Sequence, residues 1–239
     1  MNDREDLRRL RSEVCTANRA LAEAKLAPLT WGNVSGISSR RDIIAIKPSG
    51  IAYEDLTPDD IPLVDLDGRV VEGRLRPSTD TATHCAIYRA WPHVGGVAHS
   101  HSPYATMFAQ ARRPIPCLGT THADHFAGDV PVARQLTAEE VAAGYEEATG
   151  KVIVERFAQL DAMSIPGVLV AGHAPFTWGA SARAALENAI ALEAIAHMAL
   201  GTMVGLASAI ALEPHILAKH RARKYGADAY YGQRERRSP

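Results

Sequence analysis

Cysteine is scarce and poorly placed for cross-linking. Cys15, Cys85 and Cys117 are the three in 239 residues, they are widely spaced, and no CxxC occurs. That excludes a disulfide framework and a zinc ribbon, and it points to a reducing, cytoplasmic setting. Net charge is almost absent as well: 26 Lys+Arg against 27 Asp+Glu leave a formal −1. A nucleic-acid binder needs a basic surface, so that class is set aside, although a local cluster could still hold a small anion. No apolar run reaches the ~18 residues of a membrane span. The longest, Met198 to Leu212, is read as a buried helix. The opening MNDREDLRRLRSEV is charged throughout and holds no apolar signal core. Repeats, linkers and low-complexity segments are missing too. A hydrophobic share of 46% with 22% charged residues then leaves one soluble globular domain with a sizeable core.

Helical spacing of Leu7, Leu10, Val14, Ala17 and Leu21 predicts an amphipathic opening helix. LTWGNVSG reads as a Gly/Asn-rich turn, DIIAIKPSG as a short strand, and IPLVDLDGRVVEG as a hairpin about Asp67-Gly68. Pro77-Ser78-Thr79-Asp80 offers cap residues for a helix from about Thr81 to Ala90. VGGVAHSH and PGVLVAGH read as strands. Further helices are predicted from Pro103 to about Ala111, after the Thr137/Glu140 capping box, from Ser181 to about Leu206, and over PHILAKHRARKYG. Strands and helices alternate without regular βαβ spacing. The expected fold is therefore α/β, with a mixed or mostly antiparallel sheet covered by helices.

His99-Ser100-His101 ends one predicted strand and His173 another, with Asp80 beside a helix start. Residues i and i+2 of a strand share a face, so His99 and His101 could reach one ion. Three imidazoles and a carboxylate suit a borderline divalent ion, zinc first, manganese or another second. Core or surface histidines with ordinary hydrogen bonds are the competing reading, since ten histidines make a chance HxH easy. TWGNVSG and KPSG offer backbone N–H groups, hydroxyls, an amide and the cation of Lys47, a set able to cradle phosphate. Ser78-Thr79 at a helix N-terminus adds donors. For each of these segments an ordinary turn is the plainer reading.

TWGNVSG, KPSG, PSTDTATH, HSH, GTTHADHF, PGVLVAGHAPFTWG and YYGQ occur in an order and spacing that resembles the L-ribulose-5-phosphate 4-epimerases of the class II aldolase/epimerase superfamily. The resemblance runs from about Leu7 to Gln233. It implies one catalytic domain over 1–233, a short polar tail over 234–239, and the class II aldolase-like fold. His99, His101 and His173 look like metal ligands, with Asp80 in the acidic position beside them. Fuculose-phosphate aldolases of the superfamily carry Glu there, so Asp favours the epimerase branch. Asn33, Lys47, Ser49, Gly50, Ser78 and Thr79 match the substrate-phosphate positions, Thr79 departing from the usual Ser. Asp124 matches a catalytic acid/base, and Tyr231 matches its counterpart supplied by a neighbouring subunit. Thr120, Glu146 and His220 match supporting positions. The resemblance further implies a C4 homotetramer with sites between subunits, a phosphorylated pentulose substrate, and arabinose catabolism.

Three alternatives stand beside it. An aldolase of the same superfamily would release dihydroxyacetone phosphate and an aldehyde. A zinc hydrolase would share the histidines but has no use for KPSG and TWGNVSG together. An adducin-like, non-enzymatic head would lack the metal ligands, which are intact here.

Overall fold

The computed structural model describes residues 3–205 and 209–226. Tyr231 and the tail 234–239 therefore lie outside the described residues. Helix α1 spans Asp3–Glu23, with Asp3, Glu5 and Asp6 in its first turn, where acidic groups favour the helix dipole. Its apolar stripe buries Leu10, Val14, Ala17 and Leu21, as the spacing predicts.

Eight strands follow: β1 (Gly32–Ile37), β2 (Ile43–Ile46), β3 (Leu63–Asp65), β4 (Val70–Glu72), β5 (Gly96–Ser100), β6 (Val132–Ala133), β7 (Gly167–Val170) and β8 (Pro175–Gly179). They form one sheet in the order β4-β3-β2-β1-β5-β8-β7-β6. Every pair is antiparallel except β6 with β7, so the expected mixed, mostly antiparallel sheet is what the chain builds. Asp67-Gly68 does turn the β3–β4 hairpin: Gly68 has φ +81° and its N–H bonds the Asp65 carbonyl at 3.0 Å.

The other helices are α2 (Thr81–Ala90), α3 (Pro103–Ala111), α4 (Thr120–Ala123), α5 (Ala138–Arg156), α6 (Ala182–Gly205) and α7 (Pro214–Tyr225). Alternation splits the core between the sheet faces. Ile44, Ile46, Val64 and Val97 join Ile87 of α2 and Val152 and Ile153 of α5. Ala45, Leu63 and Ala98 join α1 and the first half of α6. The Thr137/Glu140 capping box opens α5 as predicted, Thr137 Oγ1 accepting from the Glu140 N–H at 3.2 Å.

Three expectations are corrected. LTWGNVSG is not a turn: Gly32–Ile37 is the strand at the middle of the sheet, its backbone paired with β2 and β5 rather than free to cradle an anion. Its polar side chains hid it, because Asn33 and Ser35 are buried yet bonded, and Asn18 Oδ1 accepts from the Val34 N–H at 2.7 Å. PGVLVAGH is a strand only to Val170; His173 sits in the turn leading to β8. The run from Met198 onward is not a buried helix. Helix α6 is described to Gly205, residues 209–213 are not helical, and Met198, Val204 and Ile210 are 52%, 80% and 77% exposed. By length and composition α6 could span a membrane, but it buries Ala185, Leu186, Ala189, Leu192, Ile195 and Ala196 against the sheet.

Candidate active site

Sheet pairing assembles the site. Asn33 of β1 lies opposite His99 of β5, which lies opposite Phe176 of β8. Gly32 makes this approach possible, since it has φ +103° and a Cβ there would stand 2.6 Å from the His99 carbonyl oxygen. The His99 ring stacks on Phe176 at 4.1 Å, and its Nδ1–H donates to the Pro175 carbonyl at 2.9 Å. A carbonyl only accepts, so the proton belongs on Nδ1 and the Nε2 lone pair faces inward. His101 Nε2 stands 3.2 Å from it. His173 completes the group from the β7–β8 turn, and one ring nitrogen from each histidine lies within 4.8 Å of the others.

These donors fit a divalent ion on their own chemistry. The carbonyl-anchored tautomer presents a lone pair, as a second-shell acceptor does for metal-binding imidazoles. Burial, with help from neighbouring histidines, pushes both His101 and His173 down to about 4, so each is neutral at physiological pH. Asp80 is not one of the three clustered donors. It occupies the N-cap of α2 without capping it, and its Oδ2 accepts from Asn33 Nδ2 at 2.6 Å. Burial pushes its carboxyl up, but His99, His84 and the Asn33 bond outweigh that and hold it below the usual range.

A cavity of about 580 Å³ opens over the histidines. It is lined by Asn33, Lys47, Ser49, Gly50, Ser78, Thr79, Asp80, His99, His101, Glu146 and His173, eleven of the residues singled out from sequence. KPSG and RPSTD are laced together by an antiparallel Pro48–Pro77 bridge, with the Ser78 N–H on the Lys47 carbonyl at 3.0 Å and the Ser49 N–H on that of Arg76 at 2.9 Å. Asn33 Nδ2 donates also to Ser78 Oγ at 3.0 Å. Lys47 is 1% exposed, and burial pushes its ammonium down to about 8.

Sequence reasoning missed Tyr145, which lines the same cavity, as does Trp31 of the TWGNVSG segment. Helix α5 breaks at Gly144 (φ +148°, ψ +100°), turning Tyr145 toward His173, whose Nδ1 lies 3.4 Å from the phenolic oxygen. A glycine inside a helical pattern was the available signal.

Asp124, Thr120 and His220 do not line this cavity. Asp124 ends α4, where His220 Nδ1 donates to Oδ1 at 2.9 Å, Arg223 Nε donates to Oδ1 at 3.0 Å and Arg223 Nη2 donates to Oδ2. Burial raises the Asp124 carboxyl, but Arg223 and His220 outweigh it and hold the group below the usual range. The basic run of α7 is thus no plain solvated face: Arg223 grips Asp124, and the Arg221 guanidinium lies 4.3 Å from the Tyr225 ring centroid. Thr120 is exposed at the start of α4.

Comparison with known proteins bears on the family and the fold. Residues 12–200 match the model of the class II aldolase and adducin N-terminal domain. The chain is 48% identical over 231 residues to the L-ribulose-5-phosphate 4-epimerase UlaF of Salmonella paratyphi A, covering 95% of this chain and all of that one. A relative of the same name from Salmonella paratyphi B is 48% identical over 229 residues, again covering 95% and all. Among solved structures, an L-fuculose 1-phosphate aldolase superposes with a TM-score of 0.75 at 24% identity, over 90% of this chain and 95% of that one. The L-fuculose 1-phosphate aldolase from Glaciozyma antarctica PI12 gives 0.76 at 19%, over 92% and 82%. These two speak for the fold. The matched domain, the coverage and the shared architecture together place the chain in the class II aldolase and adducin N-terminal domain family.

Proposed function

We propose that the protein is an L-ribulose-5-phosphate 4-epimerase, interconverting L-ribulose 5-phosphate and D-xylulose 5-phosphate in the cytoplasm. One divalent ion, zinc before manganese or another, would be held by His99, His101 and His173 with Asp80 beside them. The observation that carries the reading is that a three-imidazole cluster and a buried ammonium with serine and threonine hydroxyls share one cavity. The 48% identity to the Salmonella epimerases supports it.

The chemistry asks for such a pairing. The C4–H of a ketose phosphate is not adjacent to the carbonyl, so inversion by proton abstraction is hard. Breaking C3–C4 in a retro-aldol step gives the enediolate of dihydroxyacetone and glycolaldehyde phosphate, and turning the aldehyde before re-addition gives the epimer. A divalent ion supplies Lewis-acid stabilisation of the negative charge that develops on cleavage. Lys47, Ser49, the Gly50 backbone, Ser78, Thr79 and Asn33 would hold the phosphate while the reacting end rotates.

The C4 oxygen loses a proton on cleavage and regains one on the opposite face, which requires two acid/base groups. Asp124, kept ionised by Arg223, suits one role and Tyr231 the other, with Thr120, Glu146 and His220 in support. Asp124 and His220 stand outside the cavity of their own chain, so the reading includes a homotetramer in which a neighbour completes each site. The test is to incubate the purified protein with L-ribulose 5-phosphate and trap the product enzymatically. D-Xylulose 5-phosphate supports the epimerase; dihydroxyacetone phosphate formed instead from fuculose 1-phosphate would make the protein an aldolase.

A further inference from the structure

Lys47 follows β2 and is buried without a carboxylate for company. Its Nζ donates to the Ile51 carbonyl at 2.6 Å and lies 3.3 Å from that of Pro48, and burial is the one force acting on its ionisation. Asp80 and Glu146 line the same cavity, yet neither is paired with it, and Asp80 Oδ2 is held by Asn33. What faces the ammonium instead is an aromatic ring. Tyr53 lies with its centroid 4.7 Å from Nζ and is 3% exposed. Its hydroxyl donates to the Gly32 carbonyl at 2.8 Å and stands 3.2 Å from that of Trp31. One side chain thus joins the two walls of the cavity, KPSG and the entry to β1.

A buried ammonium needs a compensating partner. A carboxylate would supply one, but it would neutralise the charge that an incoming anion must find. The negative face of an aromatic ring attracts the cation without cancelling it. We infer that Tyr53 is a positioning residue for anion capture: its ring holds the Lys47 ammonium charged and aimed into the cavity, and its hydroxyl fixes that ring against the Trp31–Gly32 wall. The inference rests on the reading of Lys47 as a ligand for the substrate phosphate.

Inorganic phosphate is the probe, titrated calorimetrically into the intact, metal-loaded protein. At pH 8.5 Tyr53→Leu weakens binding about fivefold to tenfold, as the loss of a desolvated cation–π contact requires. At pH 6.5 it does so less, because even a weakened ammonium keeps its proton there. Tyr53→Phe retains most of the affinity at both values, and metal content is unchanged in both variants. Fluorinated phenylalanines at position 53 hold shape constant while draining the ring face, so they keep the test open should Tyr53→Leu not fold; affinity falls stepwise with fluorine number. If Lys47→Ala weakens phosphate binding but neither Tyr53→Leu nor the fluorinated series does, the inference is overturned and the Lys47 reading stands. If Lys47→Ala leaves binding unchanged, both fall.

Discussion

At Lys47 the chain keeps a cation where burial opposes one, and the consequence shows in its pH behaviour. Burial brings the ammonium down to about 8, so it is charged below that pH and loses its proton above it. KM for the phosphorylated substrate is therefore expected to rise through about pH 8, and bound phosphate, by stabilising the charged form, moves the limb somewhat higher in the complex. Lys47→Ala should raise KM and let more free aldehyde fragment escape; unchanged release would remove Lys47 from the phosphate grip. Lys47, Ser49, Ser78 and the three histidines were legible in the sequence because each is a reactive type within a short motif. Tyr53 and Tyr145 were not. Nothing in residue spacing tells that a tyrosine six residues downstream folds its ring beside Lys47, or that a break at Gly144 brings Tyr145 to His173.

Helix α5 carries a different prediction. Gly144 holds φ +148° with nothing within 4 Å of where a Cβ would stand, so a substitution there meets backbone strain and no clash. Gly144→Ala should cost on the order of 1–3 kcal/mol, and it should lower turnover as well, because straightening the break withdraws Tyr145 and Glu146 from the cavity. Gly201 of α6 also faces open space but has ordinary helical φ. Gly201→Ala is expected to gain about 0.5–1 kcal/mol. Thermal melts of the two variants check the pair, and equal shifts would show that the break at Gly144 stores no strain. Helices were the readable elements, since α2 and α3 begin and end where their caps and prolines predict. β1 was not, because a strand buried on both faces, with Asn33 and Ser35 among its buried positions, lacks the apolar alternation that marks one.

At the scale of the whole molecule, the described residues leave an apolar stretch exposed from the last turns of α6 onward. Met198, Val204 and Ile210 are exposed, and α7, which brings His220 and Arg223 to Asp124, buries no residue of its own. The proposed tetramer would cover this stretch while supplying the acid/base groups. Val204→Glu with Ile210→Glu should then shift the protein to smaller species on analytical ultracentrifugation and remove most activity together; full activity in a monomer would contradict shared sites. Mixing Asp124→Asn with His101→Ala subunits should restore part of the activity lost in each, because a mixed pair holds one site with intact histidines and an intact neighbouring Asp124, provided exchange is verified. Element patterning and the lack of repeats or linkers predicted a single α/β unit, but assembly depends on surfaces meeting in three dimensions and leaves little trace in residue order. Metal-dependent inversion at C4 can be watched in one experiment, proton NMR of L-ribulose 5-phosphate with the purified protein. We expect D-xylulose 5-phosphate to grow in, to stop growing on chelation, and to resume when zinc or manganese is returned. An unchanged spectrum from metal-loaded protein, or turnover indifferent to chelation, would contradict the account.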